Sequence, residues 1–412
     1  MIYDVIVIGG GPAGMMSAIQ ASNRGASVLL VEKNNTLGFK LLATGNSRCN
    51  ISNISADNKQ IIDVYGSNSK FLFSAFNKLN VNNTLSFFAD LGVNTKIEDN
   101  GRIFPKSNKA SDVLLALSEQ LEENNVEVML GLMVKEIVGN DKKIEKIIMG
   151  NNKEIFAKNF IIASGGKSYP KTGSTGDGYS WLTNLGHTIN NPRPALTPIV
   201  VKEKIVKQLE GLSFKNIGIN IYQNDKKVIN RVGDIIFTAD GVSGPVIIDL
   251  SSAIGVLLSE RVSLHIDFFS ETGIKEFEEK MQNDFHSSNN KMFKNYLSSV
   301  VPPKFLPVIF QLTKISEEKI INTITKEERQ ILVKVLKDFI LEVKKLKGFD
   351  RAMITAGGVD VKEIDPKTMQ SKLYDNLFLA GEILDLDGPT GGYNLQVCWS
   401  TGYVAGNNII LS

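Results

Sequence analysis

Four short runs of apolar residues stand out along the chain, each followed by small or acidic residues. They are Val5–Ile8, Val28–Val31, Phe160–Ala163 and Leu377–Ala380. A continuous apolar run of this length is typical of a strand that is buried on both faces of a parallel sheet. Between the first two runs, small and apolar residues recur at helical spacing from Met15 to Ser22. The pattern predicts a β-α-β unit near the N-terminus and further buried strands later in the chain.

The first predicted strand leads directly into Gly9-x-Gly11-x-x-Gly14, and the second ends at Glu32. Gly9 permits a tight turn, Gly11 lets the backbone approach a pyrophosphate, and Gly14 allows the helix to pack closely on the strand. The helix N-terminus then presents N–H groups to the phosphates. Glu32 can accept the hydroxyls of an adenosine ribose, and its charge disfavours a 2′-phosphate. The motif predicts a bound dinucleotide but does not separate NAD from FAD.

The C-terminal segment favours FAD. The run that ends at Ala380 is followed by Gly381-Glu382, and a helix is predicted to begin near Gly391-Gly392. A flavin needs polar groups for its ribityl hydroxyls, and Glu382 is placed for that role. It also needs a helix N-terminus at the pyrimidine side of the ring, where negative charge develops on reduction. The backbone N–H groups of residues 392–394 are placed there.

These segments together resemble a family of bacterial FAD-dependent oxidoreductases. Its members carry names such as NAD(P)/FAD-dependent oxidoreductase and aminoacetone oxidase family FAD-binding enzyme, and it includes a reductase of unsaturated 3-oxo bile acids. The matching pieces include "EKNNTLGFKLLATGNSRCNISN" and "LFLAGEILDLDGPTGGYNLQVCWSTG", and they run in the family's order along nearly the whole chain. Two positions depart from the pattern: Ser47 replaces a glycine, and Ala239 stands where the family often has a histidine. This second departure argues against a family-wide catalytic role at that position here.

The resemblance implies an α/β fold with a Rossmann-like, two-part FAD-binding domain (a GR2-type flavoprotein) and two inserted lobes. The first FAD-binding part is expected over residues 1–191 and the second over 351–412. Short alternating runs after Pro194 predict a small β-barrel lobe over 192–271 and 337–350. A helical pattern, broken at Pro302-Pro303, predicts a helical lobe over 272–336.

Composition narrows the function without identifying it. The chain has 412 residues and a net charge of +2, which gives no electrostatic case for nucleic acid or for stable membrane association. No apolar run approaches the roughly 18 residues that span a bilayer, and the N-terminus does not resemble a signal peptide. The two cysteines form no CxxC or Cys/His cluster, so neither a zinc site nor a disulfide framework is expected. A cytoplasmic location is predicted.

Cys49 has three interpretations. A redox-active thiol needs a partner cysteine nearby in sequence, and none exists, although Cys398 could approach in space. A covalent flavin link is not suggested by the family. We therefore predict that Cys49 packs against the cofactor. For the neighbouring Arg48, anchoring of the pyrophosphate or of the backbone and contact with the substrate remain equally open.

The predicted site residues fall into two groups. Tyr169, Asn394 and Arg48 are the catalytic candidates, because they lie beside the cofactor motifs. Val134 is expected to pair its backbone with the adenine, as in comparable FAD folds. The predicted cofactor-binding residues are Gly9, Gly11, Pro12, Ala13, Gly14, Glu32, Lys33, Lys40, Gly45, Arg48, Cys49, Asn50, Val134, Ser164, Gly165, Gly381, Glu382, Gly392, Tyr393, Asn394 and Leu395.

The leading hypothesis is hydride transfer through non-covalent FAD to a small-molecule substrate such as an activated C=C bond. No second GxGxxG follows a strand, so NADH or NADPH would bind transiently at the flavin face. An amine oxidase of the aminoacetone type, which produces hydrogen peroxide, is the alternative. A non-catalytic FAD-binding sensor is a further hypothesis, whereas a flavin-dependent RNA-modifying enzyme is disfavoured by the near-neutral charge. No pattern in the chain indicates the substrate or the oligomeric state.

Overall fold

The computed structural model describes residues 2–54 and 64–411. The chain divides into two compact units, residues 1–194 with 349–412, and residues 195–348. The expected domain boundaries, after residues 191 and 350, lie within three residues of these divisions. The expected β and helical lobes fall in the same unit, because their apolar side chains share one hydrophobic core.

The secondary structure follows the chain in this order. The strands are β1 Ile2–Ile8, β2 Val28–Glu32, β3 Ser52–Asn53, β4 Thr95–Ile97, β5 Arg102–Pro105, β6 Glu127–Leu130, β7 Val134–Asn140, β8 Lys143–Met149, β9 Glu154–Ile162, β10 Ile189–Ala195, β11 Ile199–Val201, β12 Ser213–Gln223, β13 Lys226–Thr238, β14 Gly241–Ser243, β15 Val262–Asp267, β16 Phe339–Leu346, β17 Ile354–Val359 and β18 Leu377–Leu379. The α-helices are α1 Pro12–Asn23, α2 Phe39–Ala43, α3 Ser69–Lys78, α4 Val81–Asp90, α5 Ala110–Glu123, α6 Asp177–Asn184, α7 Pro245–Leu257, α8 Ile274–Ser287, α9 Phe293–Val300, α10 Leu306–Thr313, α11 Lys326–Lys337 and α12 Tyr393–Asn407.

The first unit is built on a seven-stranded sheet with the order β6-β2-β1-β9-β8-β7, and β18 also pairs with β9. Strands β6, β2, β1, β9 and β18 run parallel, with Val7 opposite both Leu30 and Ile161. Their side chains are almost all buried near the sheet centre, as the continuous apolar runs require. The predicted parallel strands at all four apolar runs are therefore confirmed.

Helices α1 and α12 pack together against this sheet, and small residues let them approach closely. A Cβ atom placed on Gly402 would stand 2.5 Å from the carbonyl oxygen of Ala13, and one on Gly406 would stand 2.3 Å from that of Ser17. The Ser17 hydroxyl also donates a hydrogen bond to the Gly402 carbonyl, at 3.1 Å. This contact places the C-terminal helix beside the helix that follows the glycine motif.

The second unit contains a closed six-stranded barrel with the order β11-β14-β13-β12-β15-β16. Alternate residues of β12, namely Ile217, Ile219 and Ile221, are buried in its core. Helices α8 to α11 contribute apolar side chains to the same core. The sequence did not predict helix α7 between the barrel strands, because its β-branched stretch Val246–Ile248 resembles a strand.

Candidate functional site

A cleft opens at the carboxyl ends of β1, β2 and β9 in the first unit. Ligands of open α/β sheets bind at this edge of the sheet. The lining residues are Ile8, Gly9, Gly10, Gly11, Pro12, Ala13, Val31, Glu32, Lys33, Asn34, Gly38, Phe39, Lys40, Leu132, Met133, Val134, Ala163, Ser164, Gly165, Thr172, Gly173, Ser174, Asp177, Trp181, Glu382 and Cys398. The cleft thus joins the glycine motif to the C-terminal segment.

The three motif glycines have three different surroundings. Gly9 has φ +108°, and a Cβ atom on it would stand 2.5 Å from the carbonyl oxygen of Ala163. A Cβ atom on Gly14 would stand 1.8 Å from the carbonyl oxygen of Gly9, so this residue is required for contact between helix and turn. A Cβ atom on Gly11 would meet no neighbouring atom of the described residues within 4 Å, which leaves space for a phosphate group.

Glu32 is fixed in the cleft by backbone hydrogen bonds to both of its carboxylate oxygens. The N–H of Gly10 donates to Oε2 at 2.7 Å, and the N–H of Asn34 donates to Oε1 at 2.8 Å. Each oxygen retains further acceptor capacity. The carboxylate is therefore held in place, at the end of β2, with acceptors available for ribose hydroxyls.

A strap formed by residues 172–177 closes one side of the cleft. The side-chain amide of Asn34 donates to the carbonyl oxygen of Thr172 at 3.0 Å. Lys33 forms an ion pair with Asp177 at 2.5 Å and also contacts the Thr175 hydroxyl. These contacts tie the strap to the residues that follow β2.

A polar cluster lies at the other end of the cleft. Lys40 donates hydrogen bonds to Glu382 at 2.7 Å and to the Ser168 hydroxyl at 2.6 Å. The second oxygen of Glu382 accepts from Ser168 at 2.9 Å and from the backbone N–H of Thr355 at 2.8 Å. Burial raises the pKa of the adjacent Cys398 thiol to about 12, with the Glu382 carboxylate acting in the same direction, so this thiol is protonated at neutral pH.

The turn that contains Cys49 lies outside the cleft lining. Four of its residues have left-handed backbones: Gly45 with φ +57°, Asn46 with +57°, Ser47 with +62° and Cys49 with +61°. The Cys49 side chain is fully buried, and burial raises the pKa of its thiol to about 12. A buried thiol with this pKa behaves as a packing group rather than a nucleophile.

The catalytic candidates also lie outside the cleft lining, and two of them hold local structure. Arg48 donates to both carboxylate oxygens of Glu98, each at 3.1 Å, and its guanidinium lies 4.0 Å from the ring centre of Phe104. The Asn394 side chain donates to the carbonyl oxygens of Gly388 and Pro389 and accepts from the N–H of Gly388.

Tyr169 is the most exposed of the three candidates. It has a left-handed backbone with φ +51°, and the residue is 38% exposed. Its backbone N–H donates to the carbonyl oxygen of Phe349 at 2.9 Å. Its side chain is therefore accessible to solvent.

The structure brings together eleven of the predicted cofactor-binding residues in the cleft. These are Gly9, Gly11, Pro12, Ala13, Glu32, Lys33, Lys40, Val134, Ser164, Gly165 and Glu382. The predicted residues outside its lining are Gly14, Gly45, Arg48, Cys49, Asn50, Gly381, Gly392, Tyr393, Asn394 and Leu395. Sequence reasoning did not assign Asn34 or the residues of the strap to the cofactor cleft. The glycines of the strap are visible in the sequence, but no local pattern links the strap to Asn34, which lies 138 positions before Thr172.

The cleft fits an FAD molecule in three respects. Gly11 is open to the cleft, and Glu32 is oriented toward it. The Ser164 hydroxyl oxygen is buried and has no hydrogen-bond partner among the residues that the structure describes, so it is available to a ligand.

Within residues 2–54 and 64–411, no group of three or more His, Cys, Asp or Glu residues is arranged to hold a metal ion. No helix in the same ranges has the length and apolarity to cross a membrane.

Comparison with known proteins gives matches over almost the whole chain. A family model described as the HI0933-like protein Rossmann domain matches residues 3–408. The 3-dehydro-bile acid delta(4,6)-reductase of Clostridium scindens is 30% identical over 404 residues, which are 97% of each chain. The ribosomal RNA dihydrouridine synthase of Haemophilus influenzae is 28% identical over 408 residues, which are 98% of each chain.

Solved structures support the same fold. The 3-ketosteroid delta1-dehydrogenase of Sterolibacterium denitrificans aligns with a TM-score of 0.52 and 12% identity, over 99% of both chains. A quinol-fumarate reductase aligns with a TM-score of 0.51 and 14% identity, over 98% of this chain and 70% of that one. At these identities the likeness concerns the fold alone, and it confirms the Rossmann-like α/β architecture.

Proposed function

The chain belongs to the HI0933-like family of FAD-dependent oxidoreductases, and we propose that it reduces a C=C bond conjugated to a carbonyl group. The observation that carries this proposal is the 30% identity to a bile-acid delta(4,6)-reductase over 97% of both chains. A dihydrouridine synthase is a relative over a similar length. The names of both relatives denote reduction of a C=C bond, and in a 3-oxo-4,6-diene and in uracil alike that bond is conjugated to a carbonyl.

The reaction needs a hydride at the carbon distal to the carbonyl and a proton at the carbon next to it. When bound, FAD supplies the hydride chemistry, with electrons that we propose come from NADH or NADPH. The overall balance is one nicotinamide and one proton consumed for each C=C bond reduced. The protein must therefore bind the cofactor, exclude water and hold one proton donor.

We propose that the cleft holds the adenosine and pyrophosphate portion of FAD without a covalent bond. Glu32 would accept the ribose hydroxyls, and the N-terminus of α1 at Gly11 would face the pyrophosphate. Glu382, which Lys40 and Ser168 hold in place, would accept ribityl hydroxyls. These contacts orient the ring relative to the substrate.

We propose Tyr169 as the proton donor, because its side chain is partly exposed while Arg48 and Asn394 are engaged in structural contacts. Loss of a general acid lowers the rate by about 10²–10⁴-fold. The substitution Tyr169→Phe should therefore lower kcat for enone reduction by about 100-fold or more. FAD content and flavin reduction by NAD(P)H should stay at the wild-type level. Wild-type turnover in this variant would remove Tyr169 from the mechanism.

The test of the function is anaerobic flavin reduction followed by addition of acceptors. We expect NADH or NADPH to bleach the flavin absorbance, and a 3-oxo-4-ene or 3-oxo-4,6-diene steroid to restore it without oxygen. The saturated 3-oxo steroid is the matched control and should not restore it. Failure of both nucleotides to bleach the flavin, combined with bleaching by a small amine and peroxide release in air, would favour the amine oxidase instead.

Reduction of uridine in ribosomal RNA is a second candidate, favoured by relatives with that name at 28% and 26% identity. It involves the same bond chemistry on a much larger substrate. The net charge of +2 gives weak electrostatic support for RNA binding. Incubation of the holoenzyme and NADPH with protein-free ribosomal RNA distinguishes the two, because dihydrouridine can be measured by mass spectrometry. We expect the small enone to be reduced and the RNA to remain unchanged.

A further inference from the structure

The turn Gly45–Asn50 has an unusual backbone. Three consecutive residues, Gly45, Asn46 and Ser47, have left-handed φ angles, and Cys49 is a fourth. Residues other than glycine adopt this region at an energetic cost, and such strain is retained mainly where function requires it. The Cys49 N–H donates to the Thr44 carbonyl at 3.0 Å, which closes the turn and directs the chain toward Asn50.

Asn50 at the end of this turn has an unsatisfied side chain. The residue is 9% exposed. Its carbonyl oxygen Oδ1 is buried and has no hydrogen-bond partner in the described part of the chain. Buried polar atoms are almost always hydrogen-bonded, so an orphan of this kind calls for a ligand that donates a hydrogen bond.

This oxygen lies at the N-terminus of the 15-residue helix α12. A Cβ atom placed on Gly392, the N-cap residue, would stand 2.9 Å from Asn50 Oδ1. Gly392 has φ +100°, and it also lies close to β3, since the same Cβ would stand 2.3 Å from the Ser52 carbonyl oxygen. A buried acceptor and a helix N-terminus, which favours negative charge, therefore lie side by side.

The position of this pair relative to the cleft is set by the helix itself. Cys398 lines the cleft and lies in the second turn of α12. Tyr393, the first residue of the helix, is five residues earlier, which corresponds to about 7.5 Å along the axis. A cofactor that extended past Glu382 along α12 would therefore bring its far end close to Asn50.

We propose that Asn50 is the residue that positions the flavin ring, with Oδ1 accepting a hydrogen bond from the ring N3–H. In that arrangement the N-terminus of α12 would stabilise the negative charge that develops on the pyrimidine side of the ring on reduction. The inference rests on the proposed FAD chemistry and assigns a specific role to a residue outside the cleft lining. It makes Asn50 a positioning residue, which acts by fixing the ring rather than by exchanging a proton with the substrate.

The test uses 3-methyl-FAD, in which a methyl group replaces the N3 hydrogen, and the variants Asn50→Ala and Asn50→Leu. Apoprotein is titrated with FAD and with the analogue, and the two dissociation constants are compared. We expect the wild type to prefer FAD by about tenfold. Both variants should bind FAD about tenfold more weakly and should discriminate less than twofold. An undiminished preference for FAD in the variants would contradict the proposal.

Two further readouts separate this role from a purely structural one. Removal of an unsatisfied buried carbonyl should leave apoprotein stability unchanged or increased in Asn50→Leu, whereas loss of a structural contact would lower it. The midpoint potential of bound FAD should also shift in both variants. If the wild type binds no FAD, the proposed function itself fails. If it binds FAD and the variants match it in discrimination and potential, the inference about Asn50 alone fails.

Discussion

The cleft at the glycine motif and the turn at Asn50 are prepared for a ligand in opposite ways. In the cleft, the charged groups already have protein partners: Glu32 accepts two backbone hydrogen bonds, and Lys40 pairs with Glu382. At the turn, the backbone is strained and the Asn50 carbonyl has no partner among the described residues. The cleft is preorganised without a ligand, whereas the turn is completed by one. We infer from this difference that the cleft supplies most of the affinity for FAD and that the turn sets the position of the flavin ring.

The largest effect is expected from Gly14→Ala, which disrupts the packing of helix α1 against the turn at Gly9. The added Cβ atom would stand 1.8 Å from the Gly9 carbonyl oxygen, which is backbone and cannot move aside. We expect apoprotein stability to fall by about 3 kcal/mol or more. Denaturant unfolding of the apoprotein measures this. A stability equal to the wild type would show that the helix does not need this contact.

The substitution Gly11→Ala should affect binding without affecting the fold. Its Cβ atom would meet no protein atom within 4 Å and would project into open space of the cleft. We expect wild-type apoprotein stability, together with FAD affinity weakened by about 100-fold, which corresponds to roughly 3 kcal/mol. Comparison of Gly11→Ala with Gly14→Ala separates an effect on FAD affinity from an effect on apoprotein stability. An FAD affinity within threefold of the wild type would show that the pyrophosphate does not bind beside Gly11.

A smaller effect, on the rate of FAD dissociation, is expected from a substitution in the strap. Asp177→Asn removes the ion pair between Asp177 and Lys33. The side chain of Lys33 is 27% exposed and that of Asp177 is 30% exposed. Ion pairs of this exposure contribute modestly, so we expect FAD dissociation to become about two- to fivefold faster. Glu154→Gln is the matched control, because it removes an ion pair with Lys146 outside the cleft. Equal dissociation rates in all three proteins would show that the strap does not retain the cofactor.

The smallest effect is expected for the two thiols. Cys398 lies in the cleft and Cys49 lies in the turn, so their reactivities allow the two regions to be compared directly. Both have a pKa raised to about 12 by burial, so the reactive thiolate is scarce at pH 8 and increases about tenfold per pH unit. Between pH 7.5 and 9.5, alkylation of Cys398 in the apoprotein should accelerate accordingly, and FAD should protect it because it lines the cleft. Fully buried Cys49 should react far more slowly in both forms. Faster labelling of Cys49 than of Cys398, measured by peptide mass spectrometry, would contradict this account.

The sequence predicts the parts of the molecule that depend on local interactions. The buried strands and the roles of Gly9, Gly11 and Gly14 follow from residues within about 30 positions of one another, so periodicity and spacing suffice. The contact of Asn34 with Thr172 joins residues far apart in the chain, and no local pattern encodes it.

Side-chain partners were the least predictable feature. Arg48 is polar and close to the cofactor motifs, yet its guanidinium binds Glu98, 50 residues later. Asn394 follows a glycine pair that marks a flavin site, yet its amide holds the preceding loop at Gly388. Sequence spacing identifies which residues are near a site, but only the folded chain determines where their donors and acceptors point.

The most direct test of the account is the flavin content of the purified protein before and after heat denaturation. Absorbance near 450 nm should show bound flavin, and heating should release about one FAD per chain into the supernatant. That result supports a cleft that binds FAD without a covalent link. Colourless protein that takes up no added FAD, or flavin that stays with the precipitated chain, would contradict it.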